Sequence, residues 1–451
     1  MVRSASVKIP PRIYLPLLLA AALGTAVGGL FLWQIHRSVA TIEGSFKSGG
    51  NTSFLQKILP GSPRTTPTST MQSQALMELR QGEIFELKGE WKRAEDKYAE
   101  SVNSGGGTPA LKKLASIQLQ RREYDGASET IDKLKQENKE SDDVMLLEGI
   151  LALRKNDVST AVSIFNRKPD SPQSMYGLAL TSIVKAEHDK AREHLTKAGE
   201  SADPAIRGIA AVILEAYNEF ALFPEGRAEH LATLLARSLA QVNECEAALA
   251  LTNPVVAAEP RYRDAWIVKG FCEFTTERTR DALTSLEQAY SLDPEKPEIQ
   301  YFLARTHAAL GDPQNAVTFL QYSIINGFQP ERDARELLAD YALELGNTAL
   351  ALEQYKLIAN GKDGDLDAYK RFVDLAVGTA NHGLDALALA KEALLKYPDD
   401  AAALTMAAKA ALAAGLPADA QKYIEAALKI DPKFKDAVVV QDAILKAGQA
   451  K

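Results

Sequence analysis

Small and large apolar positions return along this chain at fixed helical intervals. Ala282, Leu286 and Ala289 fall at i, i+4 and i+7; so do Ala191, Leu195 and Ala198, and again Ala420, Ile424 and Ala427. Each triplet marks one buried face of a helix. Trp266 and Gly270 occupy a preceding helix, Pro294 closes the stretch, and Pro398 and Pro432 stand 34 residues apart. A beat of that length predicts stacked pairs of helices, not one compact core around a pocket. The 451 residues alone suggest about three domains. A repeat array overrides that expectation, because it grows without dividing into separate cores.

The same small-residue pattern extends along most of the chain. Gly82, Ala94 and Tyr98 mark a first pair, with Gly89 in its turn; Ala115, Ala127 and Ile131 mark a second, Gly149, Ala161 and Phe165 a third, and Ala179 and Ala191 a fourth. Residues 204–222 read as a lone helix, and helices near 227–241 and 243–252 as a degenerate pair. The clearest unit runs from Asp264 to Pro294. Ala304 and Ala316, then Ala339 and Ala351, then a stretched unit around Ala386 and Ala390, and finally Ala408 and Ala420 mark those that follow. These positions resemble the tetratricopeptide repeat family, in which small residues let the two helices of a pair approach and larger ones fill the gaps between pairs. The resemblance implies an all-α, right-handed superhelical solenoid. It divides the chain into an N-terminal array at 75–202, irregular helices at 203–262, a C-terminal array at 263–433, and a capping helix and tail at 434–451.

Before the array the pattern changes. Ile13 to Ile35 runs 23 residues without a charge. As a helix it spans about 35 Å, enough to cross a bilayer. Tyr14 and Trp33 lie near its ends, as interfacial aromatics do. A cleaved secretory signal is the rival reading, with Ala20, Ala21 and Ala22 as small residues. The apolar run outlasts a signal core, which favours an uncleaved single-pass anchor. Arg3, Lys8 and Arg12 precede it in the basic tail 1–12, and Arg37 and Lys47 follow it. That bias favours a cytoplasmic N-terminus and an extracytoplasmic body. Ala20, Gly24 and Gly28 share one helix face that suits a homodimer of anchors; the bland alternative is that small residues are common in membrane helices. Residues 36–74, rich in Gly, Ser, Thr and Pro beyond Gly44, read as a flexible linker.

Charge narrows the partners. Residues 1–40 hold four cations and no acid, which leaves 48 of the 52 Lys and Arg against 59 Asp and Glu in the remainder. An acidic body does not suit nucleic acid. Cys245 and Cys272 are too few for a disulfide scaffold, and whether they are bridged is open. None of the six histidines forms a metal pair at i, i+4. No P-loop, nucleophile elbow or dinucleotide fingerprint appears, and Gly105–Gly107 lacks the Lys-Ser/Thr of a phosphate loop. The sequence therefore offers no catalytic, cofactor or metal residues, and the reading is of a protein that is not an enzyme.

In the tetratricopeptide family one face of each first helix lines a concave groove. The resemblance places Tyr176, Leu180 and Ile183 there, then Ile267, Phe271 and Phe274, then Glu298, Tyr301 and Arg305, then Asp333, Glu336 and Asp340. Apolar and aromatic members suit a partner's extended peptide or helix, and the acidic trio a basic segment. The alternative is that neighbouring repeats bury the aromatics as ordinary packing. The Asn series and Lys-x-x-x-Arg of chaperone-binding members are missing, which argues against a carboxylate clamp.

The reading that follows is a membrane-anchored scaffold for protein–protein interaction, docking or assembling a bacterial cell-envelope complex. The alternatives are a cytosol-facing organelle receptor for precursor proteins and a non-catalytic subunit of an enzyme complex.

Overall fold

A computed structural model of the chain describes residues 70–87, 90–138, 141–223, 225–362, 364–379 and 382–449. The predicted span 13–35, with Ala20, Gly24 and Gly28, lies outside the described residues, as does the linker up to Ser69. Among the described residues there are 22 helices and no strand, and no helix long and apolar enough to cross a membrane.

The described residues fall into two compact units, one ending at Asp293 and the other beginning at Pro294. The first contains α1 (Thr70–Leu87), α2 (Trp91–Asn103), α3 (Gly107–Gln120), α4 (Tyr124–Asn138), α5 (Asp142–Arg154), α6 (Val158–Phe165), α7 (Pro172–Val184) and α8 (His188–Gly199). It continues with α9 (Pro204–Ala221), α10 (Ala228–Gln241), α11 (Cys245–Ala258), α12 (Arg263–Thr275) and α13 (Thr279–Leu292). The second contains α14 (Pro297–Ala309), α15 (Pro313–Ile325), α16 (Glu331–Glu344), α17 (Thr348–Asn360), α18 (Leu366–Gly378), α19 (Gly383–Lys396), α20 (Ala401–Ala413), α21 (Pro417–Ile430) and α22 (Lys435–Gln449).

In most pairs the helices turn back through one recurring device. A residue in the left-handed region stops the first helix, and the N–H of the residue after it reaches back to a carbonyl five residues earlier. In eight pairs this bond measures 2.7–2.9 Å, from Glu123 to Gln118 in the second pair to Leu416 to Ala411 in the last. The second unit places Gly311, Gly346 and Gly415 at the left-handed position; the first uses Arg122, Asn156, Ala186, Asn243 and Glu277. The residue that follows often caps the second helix: Asp157, Asp312 and Asn347 accept the N–H of Thr160, Asn315 and Leu350.

Close approach completes the pair. Phe165 of α6 is wholly buried between α5 and α7. A Cβ added at Gly149 or Gly177 would stand only 2.2 or 2.1 Å from its ring. Only hydrogen fits at both places, so one aromatic wedge fixes two successive first helices.

Two substitutions test these devices. Ala186→Gly relieves a strained backbone and raises the urea midpoint, by up to about 1 kcal/mol after the flexibility of glycine is subtracted. Gly177→Leu forces Phe165 aside and lowers it by about 1–3 kcal/mol. Unchanged midpoints in both variants mean that neither device constrains the fold.

Candidate protein-docking surfaces

The inner face of the first unit is occupied by its own chain. Helix α11 packs across α5 and α7, and the turn before it, Asn243–Glu244, enters the space that their inner ends enclose. Arg154, at the end of α5, has only 6% of its side chain exposed and sets Nε and Nη2 against the two carboxylate oxygens of Glu244, at 3.4 and 3.3 Å. Its Nη1 donates to the Leu119 carbonyl at 2.6 Å and its Nη2 to that of Asn243 at 3.3 Å. The Tyr176 hydroxyl donates to Glu244 at 3.2 Å. Beside this cluster Arg122 Nε donates to Glu246 at 2.9 Å, Tyr124 donates to the same oxygen, and Asn243 donates to Gln120 at 2.6 Å.

The electrostatics agree with the geometry. Burial opposes the charge on Arg154, yet Glu244 and Glu246 together hold its pKa above the ordinary value. Burial pushes the Tyr176 and Tyr124 hydroxyls up, and the carboxylates they contact push them further. These groups bridge segments 35–124 residues apart.

Tyr176 and Leu180 are therefore not partner-facing. Tyr176 is 4% exposed and tied to Glu244, while Leu180 and Ile183 are wholly buried in the unit's core. The physical reason is that the α10–α11 pair, which departs from the regular beat, folds inward and covers them. Ile267, Phe271 and Phe274 are half-buried on α12, with Phe271 against the same core. Cys245 and Cys272 are free and wholly buried.

In the second unit the expected positions of successive first helices come together. Tyr301 is 7% exposed and stacked on Phe328, with ring centres 4.1 Å apart and planes 12° from parallel. The Arg305 guanidinium lies 5.7 Å from the Tyr301 ring. Burial raises the Tyr301 and Tyr341 hydroxyls, and Arg305 holds both back. Glu336 accepts from Arg332 Nε at 2.9 Å, and Arg332 also reaches Asp365 at 3.3 Å. Asp340 is exposed and accepts from the Tyr355 hydroxyl at 3.0 Å. Further along, Lys409 of α20 bonds Asp374 of α18 at 2.7 Å. Cations and carboxylates thus alternate across α14, α16, α18 and α20. The acidic residues are not a bare acidic patch, since Glu336 and Asp340 already have a cation or a phenol against them.

Comparison with known proteins agrees with this architecture. Two family models, each described as tetratricopeptide repeat, match residues 274–323 and 376–433. The described residues are all-helical, and the chain carries tetratricopeptide repeats at those two stretches. It is 24% identical over 196 residues to the DnaJ homolog subfamily C member 7 homolog of Dictyostelium discoideum, which takes in 41% of this chain and 34% of the relative. The chain thus spans about a third of that relative's length. Among solved structures it is similar to YrrB, a TPR protein with an unusual peptide-binding site, at 15% identity over 42% of this chain and 97% of that one, with a TM-score of 0.34. It is also similar to the type IV pilus biogenesis factor PilW, at 19% identity over 48% and 99%, with a TM-score of 0.32. A thermophilic TPR protein of Thermus thermophilus is similar at 19% identity over 46% and 98%, with a TM-score of 0.30. Likenesses at these scores carry no argument about partner or site.

The turn at Glu244 gives the test for this region. Arg154→Met strands a buried carboxylate and destabilises the chain by about 3–5 kcal/mol. Arg154→Met combined with Glu244→Met recovers the greater part. Urea unfolding measures both, and amide exchange in α11 rises in the single variant alone. Equal stability of the single variant and the parent means that the cluster holds nothing together.

Proposed function

We propose that this chain is a scaffold for protein–protein interaction, held at a bilayer by residues 13–35, and that it docks partners on the first-helix face of its second unit. The observation that carries this reading is the contrast between the two units. The first has its inner face filled by its own α10–α11 turn, while the second keeps Asp340 exposed and Arg305 and Glu336 half-exposed on two successive first helices, α14 and α16. A face of alternating charge with aromatic residues beneath it suits an extended polar segment whose charges alternate in turn. Arg3, Lys8 and Arg12 before the apolar stretch, against Arg37 and Lys47 close after it, favour a body outside the cytoplasm, in the assembly of a bacterial envelope complex.

A photocrosslinking residue placed singly at Asp340, Arg371 and Lys356 in cells tests the docking face. Asp340 and Arg371 belong to first helices, whereas exposed Lys356 lies on the second helix α17. Discrete products are expected from the first two positions and none from the third. Products from Lys356 alone refute the assignment. Protease treatment of intact cells tests the topology separately: digestion of the repeats without lysis is expected, and protection reverses the orientation.

A further inference from the structure

A second feature of the first unit lies between the start of α10 and the end of α11. Residues there border an open cavity of about 740 Å³. Leu222 and Phe223 form one wall, and they are 75% and 49% exposed. That wall is held in place. The Gly226 N–H donates to the Phe223 carbonyl at 2.8 Å, and any side chain at Gly226 would meet the Phe220 ring at 2.5 Å. His230 lines the cavity with Phe223 edge-on, ring centres 5.0 Å apart. Its Nδ1 lies 2.9 Å from the Tyr262 hydroxyl, while its Nε2 is buried and has no hydrogen-bond partner. When the phenol donates to Nδ1, the ring proton sits on Nε2 and lacks an acceptor. Leaving such a group unpaired costs about 1–3 kcal/mol.

Charge selects the ligand. Glu225, Glu229 and Glu259 outnumber Arg227 and Arg261 around the cavity, and Arg227 is already bonded to Glu259. A phosphate or carboxylate finds no excess cation there. An apolar side chain finds an exposed apolar wall of a kind that soluble surfaces seldom leave open without use.

We propose that this cavity is a second peptide-docking site, which takes one large apolar side chain of a neutral or basic segment against Leu222 and Phe223, with the His230 ring at its wall. It rests on the scaffold reading above but not on the face of the second unit.

The test uses the full chain in detergent with its histidine rings labelled at ¹³Cε1, and the His230 signal assigned through His230→Gln. The probes are acetyl-Ala-Phe-Ala-amide, its Lys-flanked and Asp-flanked forms, and acetyl-Ala-Ala-Ala-amide as control. Saturable movement of the His230 signal is expected with the phenylalanine peptide and not with the alanine peptide. The Lys-flanked form should bind at least as tightly, and the Asp-flanked form several-fold more weakly. Leu222→Asp should weaken binding at least tenfold; Leu222→Gln serves if that variant melts early. A His230 signal unmoved at the solubility limit overturns the site, and so does equal binding to the Leu222 variant. Tighter binding of the Asp-flanked form overturns the charge assignment. Crosslinking from Asp340 is expected to persist in the Leu222 variant, so failure here is distinguishable from failure of the docking face.

Discussion

The fold depends on how closely two helices can approach. A repeat of this kind has no central core, so each pair must bury its own faces against its neighbours. Small residues at the crossing points make this possible. Ala94, Ala115, Ala161, Ala191 and Ala282 are all wholly buried, and a wedge such as Phe165 or Tyr98 fills the gap that the small residues leave. The turn must then reverse the chain within about three residues, which is why the left-handed position recurs. Where glycine occupies it, the turn costs little. Where Ala186 or Glu277 occupies it, the backbone is strained by about 1–2 kcal/mol. Packing within the first unit offsets that strain five times over.

The break in the regular beat has a structural consequence. The α10–α11 pair keeps the standard turn, with Asn243 left-handed and Glu244 bonded back to Leu239 at 2.8 Å. It is a repeat pair by its own geometry. What differs is its direction of packing, inward over α5 and α7. A buried ion pair is weak evidence of net stability, since desolvation opposes it. Its stronger effect is on specificity. Arg154 and Glu244 cannot be buried apart, so only the register that joins them is tolerated. The Leu119 and Asn243 carbonyls take two more of the guanidinium protons, so four of its five are bonded in that register.

Much of the helix pairing was legible in the sequence, because the interactions that set it are local. Ala282, Leu286 and Ala289 can be read at one glance as a face, and all three are buried. Where contacts are distant, the reading stops. Nothing in the order of residues announces that Glu244 meets Arg154 across 90 positions, or that Tyr176 will be covered by that carboxylate. The family resemblance assigns Tyr176 to a first helix but cannot say what lies over that helix. Helix α11 is a smaller case. It runs on to Ala258 although Pro254 lies inside it, because the carbonyl that loses its partner belongs to exposed Ala250 and stays open to water. The cavity beside His230 escaped for a related reason: it is built from a loop and two helix ends, and loops carry no period.

The two units also differ in how they hold charge. In the first, Glu244 and Glu246 are buried with arginines and phenols, so their fields are spent inside and little reaches a passing segment. In the second, the equivalent groups sit at the surface, where each pair is screened and individually worth about 0–1 kcal/mol. Such pairs are weak enough to be exchanged for a partner's charges. A segment that replaces the Arg332–Asp365 or Lys409–Asp374 contact gives up little on one side and gains a similar bond on the other. On the docking face proposed above, the Tyr301–Phe328 stack is itself buried and acts as a rigid floor, so apolar contact would fall to the half-buried phenol of Tyr341, while the charges would set register and orientation. A buried network and an exchangeable one, made from the same residue types, thus give one unit a fixed interior and the other the weakly paired surface on which the proposed docking rests.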